Sequence, residues 1–110
     1  MSVMQNEVAI AAAGSNSNLV SGSAFEFARM RQIVSIGIVA SATGSFVSIT
    51  AGSDLILEES PPMVLATMPI IPDHMYYNDL MEVGDRLVIR ARNPTGGSIT
   101  FRFIVQVNPV

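Results

Sequence analysis

Two runs near the carboxyl end, in which every second residue is apolar, limit the fold of this chain more than any other feature of its sequence. The odd-numbered residues from Leu87 to Ala91 and from Ile99 to Val107 are apolar. The even-numbered residues of the same runs include three arginines, Arg90, Arg92 and Arg102. A period of two residues is typical of β-strands that bury one face. The sequence therefore predicts two strands here, each with an apolar inner face.

The segment between these runs, residues 93–97, has the sequence Asn-Pro-Thr-Gly-Gly and is rich in turn-forming residues. We therefore expect residues 85–110 to form a β-hairpin. Keeping the apolar faces together sets Ala91 opposite either Ile99 or Phe101. We predict the pairing with Ile99, because the other register sets Arg90 opposite Arg102, and such like charges cost up to about 1 kcal/mol.

The rest of the chain consists of short apolar runs separated by turn residues. Thr43-Gly44-Ser45 and Ala51-Gly52-Ser53-Asp54 are two such turns. No segment shows a helical period, and residues 73–81 are predicted to be a long surface loop. We expect an all-β fold: a single antiparallel β-sandwich, jelly-roll-like, with an extended N-terminal arm.

The amino-terminal residues differ in composition from the rest. Residues 1–23 have little charge and are rich in Ala, Ser, Asn and Gly, and residues 14–18 are typical of a flexible linker. We predict an N-terminal arm over residues 1–23 and a β-sandwich domain over residues 24–110. A short strand in the arm would place Val8 and Ile10 against a neighbouring subunit.

Charge is scarce in this sequence, and that bears on its partners. Charged residues make up 14% of the chain, against about 25% in ordinary soluble domains. A poorly charged surface is either covered by other chains or belongs to a weakly charged Ser/Thr/Gly-rich domain. The net charge of −3 argues against general nucleic-acid binding, and we expect no specific nucleic-acid partner.

Two further classes of protein are disfavoured. The uncharged run over residues 32–53 is long enough to span a bilayer, but its serines, threonines and glycines favour two strands, so we do not expect membrane contact. His74 is the only histidine, and neither metal-ligand spacings nor a nucleophile motif surrounds it. We expect no catalytic residue, no metal and no cofactor, and predict that the chain is not an enzyme. An active site or metal site at His74 is kept as an alternative to the functions considered below.

Two groups of residues are candidates for contact with a partner. Arg90, Arg92 and Arg102 would share the outer face of the hairpin, where they would meet solvent, acidic residues of a neighbour, or phosphate. Tyr76 and Tyr77 would form either a binding hot spot, a role that tyrosines favour, or a loop that packs on the core.

The run Gly84-Asp85-Arg86-Leu87-Val88-Ile89 that leads to Asn93, together with a charge-poor arm and short strands, resembles small jelly-roll or β-sandwich structural proteins of bacteriophage virions. The resemblance implies a capsid, minor capsid or decoration subunit that assembles through apolar surfaces and a strand-donating arm. Its partners would be copies of itself, in a symmetric oligomer or shell, and other virion proteins. It would be located in the virion after assembly in the host cytoplasm. The alternative is a receptor- or carbohydrate-binding β-sandwich module of a phage or bacterium, with recognition by Tyr76 and Tyr77.

Overall fold

A computed structural model describes residues 2–23, 25–64 and 75–109, and within these ranges the chain is all-β. The strands are β1 (Ser2–Ile10), β2 (Gly14–Asn16), β3 (Gln32–Ala40), β4 (Phe46–Ala51), β5 (Asp54–Ser60), β6 (Met63–Val64), β7 (Met75–Met81), β8 (Leu87–Asn93) and β9 (Ile99–Pro109). They form two packed sheets, which confirms the predicted β-sandwich.

The strand order of the two sheets interleaves the two ends of the chain. Sheet A has the order β1-β9-β3-β7, and β6 pairs in parallel with the far end of β3. Sheet B has the order β2-β8-β4-β5. All pairings except β3–β6 are antiparallel. Most connections therefore cross from one sheet to the other.

The core lies between the inner faces of the two sheets. In β9 the odd-numbered residues from Ile99 to Val105 are buried, Phe101 and Phe103 fully so, while Val107 is half-buried; in β8 Leu87 and Ile89 are fully buried. The predicted alternation is thus confirmed for both strands. Burial of each such side chain stabilises the fold by about 1.5–3 kcal/mol.

The predicted hairpin is wrong, although its inward faces are right. β8 lies between β2 and β4, whereas β9 lies between β1 and β3, so the two strands face each other across the core. Ala91 pairs with Val47 and Asn16, and Ile99 pairs with Ile10. Alternation indicates which side of a strand is buried, and this is the same for paired strands and for strands stacked in opposite sheets.

The connection between β8 and β9 is an arch organised by the side chain of Asn93. This residue is fully buried. Its Nδ2 donates hydrogen bonds to the carbonyl oxygens of Ile10, Ala11 and Gly97, at 2.9, 3.2 and 2.7 Å. Its Oδ1 accepts hydrogen bonds from the backbone N–H and the hydroxyl of Thr95. The amide thus fixes the arch and joins it to the end of β1.

The predicted surface loop at residues 73–81 is wrong for the part of it that the structure describes. Met75–Met81 is strand β7, antiparallel to β3. The register shifts between Ile36 and Gly37, and such an irregularity breaks the period of two that a strand prediction needs. Residues 73 and 74 lie outside the described ranges.

Residues 2–23 pack on the sandwich of their own chain. β1 pairs with β9 along its whole length, from Ser2 opposite Val107 to Ile10 opposite Ile99. The predicted linker is held by Asn18, whose Nδ2 donates to the Leu87 carbonyl and whose Oδ1 accepts from the Ile89 N–H. Strand donation to a neighbour, and the division of the chain at residue 23, stay predictions.

Candidate interaction surfaces

The three arginines predicted to share one face lie on opposite sides of the sandwich. Arg90 and Arg92 project from β8 on the outer face of sheet B, and Arg102 projects from β9 on the outer face of sheet A. The prediction of a single basic face is wrong, because it depended on the pairing of β8 with β9. Each arginine has to be considered in its own sheet.

Arg92 already has partners within its own chain. Its Nη2 and Nε lie 2.8 and 3.1 Å from the two carboxylate oxygens of Glu59. Its guanidinium carbon lies 4.8 Å from the centre of the Phe46 ring, on the strand residue directly opposite. The hydrogen bond from Arg92 lowers the pKa of Glu59. Arg90 stays exposed, opposite Ser48.

Arg102 fastens the edge of sheet A. Its Nε lies 3.1 Å from Oε2 of Glu7, the residue directly opposite in β1. Its Nη1 is buried without a hydrogen-bond partner. The ion pair with Glu7 therefore holds β1 to β9, and little of the Arg102 guanidinium is accessible to another molecule.

The other predicted contact residues are divided between the core and the undescribed side chains. Ile10 is buried in the core of its own chain, whereas Val8 is half-buried and packs against the rim of that core. Tyr76 and Tyr77 belong to β7, and their side chains lie outside the described part of the structure. His74 also lies outside it. Among the residues that are described, no group of three or more His, Cys, Asp or Glu side chains is placed to hold a metal ion.

The outer face of sheet A carries exposed apolar side chains that the sequence analysis did not single out. Ile33 and Leu80 lie directly opposite each other in β3 and β7 and are 41% and 38% exposed. Val3 in β1 is exposed on the same face. Ile33 belongs to the apolar run of β3, whose remaining residues are all buried. Leu80 belongs to the segment that was predicted to be a loop. No simple pattern in the sequence separates them from core residues.

An apolar groove adjoins this face at one end of the sandwich. It encloses about 200 Å³ and is lined by Phe25, Phe27, Arg29, Met30, Gln32, Val107 and Pro109. Phe27, Met30 and the nearby turn residue Val83 are exposed. This end therefore presents apolar side chains where a small monomer usually presents polar ones.

A buried carboxylate holds the segment that forms this groove. Glu26 accepts a hydrogen bond of 3.0 Å from the Gly22 N–H and one of 2.8 Å from Nε of Arg86. These two hydrogen bonds, the first being the stronger influence, lower the pKa of Glu26. Arg86 also lies over the Phe27 ring, 5.9 Å from its centre. The exposed phenyl ring is thus held in place by the ion pair beneath it.

Within the described ranges, no helix is long and apolar enough to cross a membrane. No protein-family model, no curated protein and no solved structure matches this chain.

Proposed function

We propose that this chain is a structural subunit of a bacteriophage virion, a capsid, minor capsid or decoration protein, which works by self-assembly. The observation that carries the proposal is the exposed apolar surface of sheet A and the adjoining groove. Contiguous exposed apolar surface on a soluble domain usually marks a contact with another protein. Here Ile33, Leu80 and Val3 are exposed on the outer face of sheet A, beyond the part of that face where Val39 and Ile104 are buried, and not among the convergent polar groups of a small-ligand pocket.

The strand order supports the same proposal. The antiparallel pairs β1–β9, β2–β8, β3–β7 and β4–β5 are those of one long hairpin rolled into two sheets. These pairings support a jelly roll, an arrangement that viral capsid domains use. Lectins and cupins use it as well, so the strand order supports a structural role only together with the apolar face and the resemblance to virion proteins.

Sedimentation velocity over a range of concentrations tests the proposal. We expect species larger than the 11.7 kDa monomer. The double variant Ile33→Thr/Leu80→Thr removes apolar area and keeps good strand formers, so its assembly should be weaker. Val88→Thr makes a similar change on the outer face of sheet B and should leave assembly unchanged. A wild-type protein that stays monomeric at high concentration would contradict the proposed function.

A further inference from the structure

We propose that β1 pairs with β1 of a second copy, antiparallel and across a two-fold axis at Asn6, so that two copies of sheet A become one continuous sheet. The inference rests on the proposed self-assembly and adds to it a contact at the β1 edge, separate from the exposed Ile33 and Leu80. It is argued from the edges of the sheets, from the sequence of β1, and from the half-buried side chains at the rim of the core.

β1 is an edge strand whose outward backbone groups pair with no described strand, although the Glu7 N–H donates to Oδ1 of Asn6 and the Ile10 carbonyl accepts from Asn93. All nine of its residues pair with β9 on one side, and no described strand lies on the other. Natural sheets usually protect such an edge with proline, lysine, a bulge or a very short strand. β1 has no proline, lysine or glycine and no register shift. Its one charge, Glu7, is held by Arg102.

The edges of sheet B carry the protection that β1 lacks. At one edge, β2 has only three residues. At the other, the pairing of β5 with β4 shifts register twice, and Glu58 and Glu59 are exposed. The contrast indicates that sheet B is closed to further strands, whereas sheet A is open at β1.

The sequence of β1 matches its own reverse when the axis passes through Asn6. Met4 then lies opposite Val8 of the second copy, which continues the inner apolar face. On the outer face Gln5 lies opposite Glu7, so that an amide donor meets a carboxylate. All nine residues of the strand are paired in this register.

Neighbouring registers are poorer. An axis at Glu7 sets two glutamates opposite each other, which is unfavourable, and an axis at Gln5 leaves the end of β1 unpaired. An axis between two residues would turn one inner face outward.

The rim of the core shows what this pairing would cover. Met4 and Val8 project from β1 onto the core, yet both are only half-buried, and no strand of the described part of the chain follows β1 in the sheet. A second β1 would bring another Met4 and Val8 against them. The contact would thus bury apolar side chains as well as satisfy backbone groups.

Cysteine cross-linking tests the axis, because the chain contains no cysteine of its own. Facing residues of an antiparallel pair have Cα atoms about 4.5–5.5 Å apart, within the range of a disulfide. We expect Asn6→Cys to form a covalent dimer under mild oxidation. Ser48→Cys, on the outer face of sheet B, is the control and should stay largely monomeric on a denaturing gel.

Charge exchange at the same residue tests the register independently. Asn6→Lys alone and Asn6→Asp alone would each place like charges at the axis, so each should dimerise about fivefold more weakly than wild type. A mixture of the two variants should restore dimerisation, and circular dichroism should show that both are folded.

The outcomes separate the two proposals. If the wild type assembles, but Asn6→Cys forms no covalent dimer and the charge variants assemble as well as the wild type, the β1 contact is overturned and the proposed function stands. A wild-type protein that is monomeric would overturn both.

Discussion

The two sheets of this sandwich are alike on their inner faces and different on their outer faces. Both bury alternating aliphatic or aromatic residues completely. Outside, sheet B presents Arg90, Ser48, an arginine paired with Glu59 and the exposed Leu55. Sheet A presents Val3, Ile33 and Leu80. Since the core accounts for the inner faces, the sheets differ in what they expose to solvent: mainly polar and charged side chains on sheet B, and more aliphatic ones on sheet A.

The largest expected effect tests whether the inner faces are equivalent. Phe101→Ala in sheet A should lower the free energy of unfolding by about 3–5 kcal/mol, and Ile89→Ala in sheet B by about 2–5 kcal/mol, because each leaves a cavity in a closed core. Urea denaturation followed by circular dichroism measures both. Val83→Ala, at an exposed turn residue, is the control and should change stability by about 0.5 kcal/mol or less. A small loss for one core variant alone would show that the sheets are not equally packed.

The next effect concerns the arch that connects β8 in sheet B with β9 in sheet A. Asn93→Ala removes the amide that ties the arch after β8 to the carbonyls at the end of β1, and it leaves buried backbone groups without partners. We expect the free energy of unfolding to fall by about 2–3 kcal/mol. Pro94→Ala, at the exposed neighbour, should have little effect. If both variants were equally mild, the arch would owe its shape to the backbone alone.

A smaller effect distinguishes the two carboxylates whose pKa values are lowered. A group with a pKa below its ordinary value of 4.5 in the folded protein stabilises the fold above pH 4.5 and loses this contribution as the pH falls below it. The side chain of Glu26 is 10% exposed and that of Glu59 is 44% exposed, so solvent screens the second more. Glu26→Gln should therefore flatten the acid limb of a thermal-stability profile more than Glu59→Gln does. Equal slopes for the two variants would contradict this ranking.

The sequence predicted the sandwich because side-chain direction is a local property. The inward faces of Leu87 and Phe101 and the turn at Thr43-Gly44-Ser45 follow from alternation and turn chemistry over a few residues. Strand partners are a global property. Nothing in residues 85–110 states that β9 pairs with Ile10 and its neighbours at the other end of the chain.

The candidate surfaces were predicted less well for the same reason. The grouping of Arg90 with Arg102 required the wrong pairing, and the exposure of Ile33 depends on its place in sheet A. Both properties are fixed only when distant strands meet.

The pairing of β1 with β9 also has a consequence for how the protein is made. Ser2 pairs with Val107, so β1 has its partner in a strand that is synthesised after all the other described strands. At typical rates of about 5–20 residues per second, roughly 5–20 seconds of translation separate them. β1 therefore waits longer for its partner than any other described strand does.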